Sequence, residues 1–202
     1  KERTMKRLLL LLFTIATIGA QDYSLSFDGV DDYVEVSSNT SIDDIFSGGG
    51  SISAWIYPKS PGSFGFWDNY GRIIDKKDDQ ENGWALYIRN ETSTTVGIAF
   101  WHKFSGTSYG RWQNGSVMTK NTWNHVTVTF NNNSASNNPL IYINGEMISL
   151  SEAASPSGSG TSDVGIPLTI GNTQDHETCF DGNISSTKFW NQQLSQSEIQ
   201  DI

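Results

Sequence analysis

Three shortages in this chain exclude whole classes of function. Cysteine occurs once in 202 residues, at Cys179, so no disulfide can form within the chain. Nothing in the sequence marks a base partner for that thiol, and it reads as a small buried apolar residue rather than a nucleophile. Positive charge is scarce: 13 Lys and Arg stand against 22 Asp and Glu, for a net charge of −9. An acidic surface repels a phosphate backbone, which argues against nucleic acid as a partner, but it suits divalent cations. Charged residues of any kind make up only 17% of the chain, while aromatics reach 12% and glycine numbers 19. That balance excludes a disordered polymer and fits one β-sandwich domain with many tight turns.

The apolar run Leu8 to Ile18 is short for a bilayer span. Preceded by Lys6-Arg7 and followed by Gly19-Ala20, it has the three-part layout of a signal peptide over residues 1–20. Lys1 to Thr4 precede the first Met, Met5, and read as upstream read-through. Removing residues 1–20, which carry a net +3, leaves −12 on residues 21–202. The expected location is secreted or at the cell surface, with no membrane span in the mature chain.

Alternation with period two recurs from Ser24 onward. Ser24 to Phe27 and Tyr33 to Val36 read as a first strand pair around Asp28-Gly29. Ser51 to Tyr57 is a strand ended by Pro58. Strands are expected at Arg72–Lys77, Trp84–Arg89 and Val96–Trp101, the last two joined by a turn near Asn90–Thr94. Trp123 to Phe130 has the strictest alternation, and Asn144-Gly145 is a strong hairpin signal within Leu140–Ile148. Ser151 to Ser162 reads as a flexible loop, and Leu168–Gly171 and Phe180–Trp190 as the last strands. Ser195 with Glu198 three residues later is a capping box that opens a short terminal helix.

Four stretches together resemble the laminin-G-like (concanavalin A-like lectin/glucanase) jelly rolls. They are Leu25-Ser26-Phe27-Asp28-Gly29-Val30-Asp31-Asp32-Tyr33-Val34, Ala54-Trp55-Ile56, Trp123-Asn124-His125-Val126 and Tyr142-Ile143-Asn144-Gly145, with Trp190 and the small helix closing the pattern. The resemblance spans residues 24–202 and implies an all-β, two-sheet antiparallel sandwich. Trp55, Trp84, Trp123 and Trp190 are expected in its core.

Catalysis finds little support. The superfamily's glucanases carry a Glu-x-Asp-x-x-Glu strand, which this chain lacks; Asp75, Asp78, Asp79 and Glu81 cluster at a polar turn instead. No serine or cysteine in a nucleophile elbow accompanies His102, His125 or His176.

Asp28, Asp31 and Asp32 crowd one turn, where like charges need solvent or a cation, and Ca²⁺ takes oxygen ligands from such loops. The resemblance implies a structural calcium at the sandwich rim, with Asp181 brought near by pairing of the first and last strands. Where relatives often carry an acidic pair in the last strand, this chain has Ser185-Ser186.

Sugars bind by stacking on exposed aromatic rings flanked by polar groups. The stretches 60–71 and 101–115, read as loops, offer Trp67, Tyr70, Trp101, His102, Tyr109, Arg111 and Trp112. The sequence thus predicts a non-catalytic carbohydrate-binding module for a polysaccharide or glycan. The alternative is an adhesion or structural module that binds an extracellular protein; glucanase activity is a third and weaker reading.

Overall fold

The alternation resolves into two antiparallel sheets in a computed structural model that describes residues 23–62, 70–105 and 109–202. The strands are β1 (Leu25–Asp28), β2 (Val34–Val36), β3 (Gly50–Pro58), β4 (Arg72–Lys77), β5 (Gly83–Glu91), β6 (Thr95–Lys103) and β7 (Tyr109–Thr119). They continue with β8 (Asn124–Phe130), β9 (Leu140–Ile143), β10 (Glu146–Met147), β11 (Ser151–Ala154), β12 (Leu168–Ile170) and β13 (Asp181–Trp190), before a helix α1 (Gln196–Gln200). One sheet runs β1-β13-β3-β8-β9-β10 and the other β11-β7-β6-β5-β4-β12-β2. This is the expected all-β sandwich with a short terminal helix. Among the described residues no helix is long and apolar enough to cross a membrane.

Period two sorts each strand into a core face and an outer face. Ile52, Ala54 and Ile56 of β3 meet Val126, Val128 and Phe130 of β8 on the core face of one sheet. Trp84, Leu86 and Ile88 of β5, with Val96, Ile98 and Phe100 of β6, line the other. Phe46, from the segment between β2 and β3, fills the space between the sheets, with its ring centroid 5.3 Å from those of both Trp84 and Phe100.

Turn chemistry fell where it was expected. Asn144 and Gly145 both have positive φ, 53° and 79°, as a two-residue hairpin with strand-matching twist demands. The Ser195–Glu198 capping box is fully formed.

Several expectations need correction. β1 and β2 do not pair with one another: β1 pairs with β13 and β2 with β12, in different sheets. The segment between them crosses the sandwich instead of making a hairpin. Trp101–Lys103 and Tyr109–Thr119 are strands, not irregular loop. The Ser/Gly-rich run begins with β11, which pairs with β7. Of the four core tryptophans, only Trp84 lies in the central core. Trp55, Trp123 and Trp190 are half-buried, beside His125, Tyr57 and the α1 cluster respectively.

Candidate functional site

The outer face of β4–β7 collects a second cluster separate from the core, formed by Ala85, Tyr87, Ala99 and Trp101, with Tyr70 and Tyr109 packed on it. Strand register sets the layout. Asp75, Ala85, Trp101 and Arg111 form one row across β4–β7; Arg72, Tyr87, Ala99 and Gln113 form the next; Arg89 opposite Gly97 lies beyond. The small Ala85 leaves a shallow trough between its larger neighbours Asp75, Tyr87 and Trp101. The result is a groove of about 410 Å³, bordered by the turn after β4 and the loop 173–178.

Aromatic rings and cations interleave along it. Trp101 and Tyr109 stack with centroids 5.4 Å apart, and Lys77 Nζ lies 5.2 Å from the centroid of Trp101. Tyr70 and Tyr87 are 5.8 Å apart, with Arg89 over Tyr70 at 5.4 Å and Arg72 over Tyr87 at 4.6 Å. Arg72 Nε is 2.9 Å from Asp75 Oδ2, although the two atoms are not aligned for a hydrogen bond. Burial pushes the Asp75 carboxyl up to about 6, against the pull of Arg72 and Lys77. Asp78 is occupied by its own turn, accepting hydrogen bonds from the backbone N–H groups of Gln80 and Asn82 and from the Asn82 amide. These contacts give Asp75 and Asp78 structural partners.

Of the residues singled out from sequence as ligand-binding, Tyr70, Trp101, Tyr109 and Arg111 come together here. Trp101, only 9% exposed, is largely covered and supports its neighbours, so Tyr70 and Tyr109 carry the accessible aromatic surface. His102 and Trp112 are corrections. Both alternate onto the opposite face of their strands and are buried in the core, out of a ligand's reach. Trp112 fits there because its indole lies over Gly110, where a Cβ would come within 2.1 Å of the ring. His102 Nδ1 bonds the Lys103 carbonyl and Nε2 accepts from the Asn132 amide; burial holds its pKa down at about 4. Trp67 lies outside the described residues.

Sequence reading missed Arg72, Asp75 and Tyr87 as groove residues and Arg89 as their neighbour. Alternation groups Tyr87 and Arg89 with Ala85, opposite to Trp84, Leu86 and Ile88, without saying which group faces the core.

The acidic turn sits elsewhere on the rim. Carboxylate oxygens of Asp28, Asp31 and Asp32, all exposed, lie within 4.8 Å of one another. Asp28 Oδ1 accepts from Val30 N–H, and Asp32 Oδ2 accepts from Asp28 N–H. Asp181 is the register partner of Asp28, and a Cβ on Gly29 would fall 3.0 Å from its Cβ. Its carboxylate is not part of the close group, so the strand pairing came out as expected while the fourth ligand did not join. Beneath this turn Cys179 is buried, with its thiol against the Val30 carbonyl and the Asn172 amide.

Solved structures of similar fold include the binding domain of Paraclostridial Mosquitocidal Protein 1, at 16% identity and a TM-score of 0.65 over 91% of this chain and 43% of that one. A heptameric SAP-like pentraxin from Limulus polyphemus matches at 15% identity and a TM-score of 0.61, over 91% of this chain and 82% of that one. The receptor binding domain of a botulinum neurotoxin C/D mosaic serotype matches at 21% identity and a TM-score of 0.60, over 84% and 39%. The chain thus spans about two fifths of the length of the toxin domains it matches. No curated protein matches it. The family profile that does match, over residues 28–200, is of the laminin G type, and by it the chain belongs to the concanavalin A-like lectin/glucanases superfamily.

Proposed function

We propose that this protein is a non-catalytic binding module that takes a glycan in the groove on the outer face of β4–β7. The observation that carries the reading is the composition of that groove: Tyr70 and Tyr109 beside Arg72, Arg111, Lys77 and Asp75, in about 410 Å³. Aromatic faces suit the apolar side of a sugar ring, and the charged groups suit its hydroxyls. Folds this similar occur in domains described as binding domains, and that supports a binding role for this chain.

A glycan array and polysaccharide pull-down with the full chain test the reading. Binding is expected, and Tyr109→Ala and Tyr70→Ala are each expected to weaken it about fivefold, the stacking term being about 1 kcal/mol. Failure of a folded protein to bind any glycan, or binding indifferent to both substitutions, would move the reading to a module for an extracellular protein partner.

Calcium belongs to the same proposal as a structural ion. Three exposed carboxylates on one turn form a donor set that fits a hard cation, with water completing the shell. Asp28, Asp31 and Asp32 would hold it. It would neutralise their repulsion and brace the turn beside the β1–β13 pair. The dependence of melting temperature on Ca²⁺ checks this.

A further inference from the structure

We infer that one end of the groove is a subsite for an oxyanion carried on the bound sugar, a carboxylate or a sulfate ester; the inference rests on the glycan-binding reading above. The groove is electrically divided. Five of its acidic residues, Asp78, Asp79, Glu81, Asp175 and Glu177, lie on the turn after β4 and the loop following β12, and the sixth, Asp75 on β4, is paired with Arg72. Two guanidinium groups, those of Arg72 and Arg111, line it near Tyr87, and a third, that of Arg89, adjoins it against Tyr70. Arg72 lies over the Tyr87 ring and Arg89 over the neighbouring Tyr70, while Arg111 stands one row away on β7. All three arginines pull the Tyr87 phenol down while burial pushes it up, as expected of cations converging on one point.

All three arginines have a shielded N–H without a hydrogen-bond acceptor among the described residues, and only Arg72 of the three has an ion pair beside it. Among the described residues, Arg89 Nε and Nη1 and Arg111 Nε are shielded from solvent and make no hydrogen bond, and neither side chain forms an ion pair. Gln113 Oε1, in the row of Tyr87, is likewise unpartnered. Shielded guanidinium donors are costly unless an acceptor reaches them, and planar oxyanions match their geometry with two parallel bonds. The chain's strongly acidic balance makes such a cluster an exception on its surface. The acidic rim at the other end repels a second anion. The subsite therefore favours one charged sugar flanked by neutral ones over a densely charged polymer.

Calorimetry on the full chain tests this with matched probes. A trisaccharide carrying one uronate is compared with its carboxyl-reduced form, and a singly sulfated trisaccharide with its unsulfated form. An acidic probe is expected to bind about tenfold or more tighter than its neutral counterpart, the usual weight of a charge-assisted hydrogen bond. Whichever pair shows the preference identifies carboxylate or sulfate as the group bound. Equal affinity within both pairs overturns the inference and leaves glycan binding standing, whereas binding of no probe overturns both. Arg89→Gln and Arg111→Gln are expected to bring the acid-to-neutral ratio close to one, and Arg89→Lys to restore part of it. Retention of the full preference in both glutamine variants also overturns the inference. The first comparison uses the unaltered protein and is independent of how the variants fold.

Discussion

Asp75 and His102 lie on opposite faces of the seven-stranded sheet and respond oppositely to pH. Asp75, pushed by burial from 3.8 up to about 6, carries a charge that opposes folding above that pH; the penalty fades as pH falls through the window. His102, held by burial near 4 rather than 6.5, stays neutral in the fold while the unfolded chain takes up a proton. Its contribution is therefore lost as pH falls from 6.5 towards 4. The two slopes nearly cancel where they overlap. Asp75→Asn removes one of them. Stability at neutral pH is expected to rise by on the order of 2–3 kcal/mol, the shift already containing the attraction of Arg72. Between about pH 6 and pH 4 the variant should then lose stability more steeply than the parent, by on the order of 1 kcal/mol per pH unit. Urea denaturation across this range checks both, and parallel profiles for the two proteins would exclude the assignment to Asp75.

At the scale of elements, β7 shows how one small residue directs a strand. Gly110 and Trp112 share the core phase of β7, and the indole occupies the room that Gly110 leaves. Gly110→Ala places a methyl against that ring and is expected to destabilise by about 1–3 kcal/mol through overpacking. Denaturant midpoints measure it, and a neutral result would contradict the packing. Tyr109 and Arg111 occupy the alternate positions, so the packing of Trp112 inward is what turns them outward into the groove. The function of this strand thus depends on its buried side.

Over the whole molecule, the first and last strands close the six-stranded sheet, and the acidic turn follows β1 directly. A cation bound only by the folded form must stabilise it. With Ca²⁺ at a hundred times its Kd the gain is about 2.7 kcal/mol, or roughly 5–10 °C in Tm for a chain of this size. Chelator is expected to reverse the shift, and Asp31→Asn with Asp32→Asn to abolish it. A Tm indifferent to Ca²⁺ at millimolar concentration would sink the structural-ion reading. A second long-range tie is internal: fully buried Lys76 donates to Asp43 Oδ1 at 2.8 Å and to the carbonyls of Asp163 and Ile166. Asp163 Oδ2 in turn accepts from Trp84 Nε1. These contacts join segments 33 to 90 residues apart and pin two connections onto β4.

Local chemistry by itself determined the β class, most strand positions, the Asn144-Gly145 turn and the Ser195 cap, because alternation, hairpin dipeptides and caps act between near neighbours. It also named four of the groove's residues, Tyr70, Trp101, Tyr109 and Arg111. Only the tertiary structure decided which face of β6 and β7 meets the core. Trp101 and His102, or Arg111 and Trp112, are adjacent in sequence, and period two says that they part company without saying which goes inward. The same limit hid Arg72 and Arg89 and separated β1 from β2. Pairing across the sandwich joins residues far apart in the chain, and the choice of partner is set by the shared core rather than by any local preference.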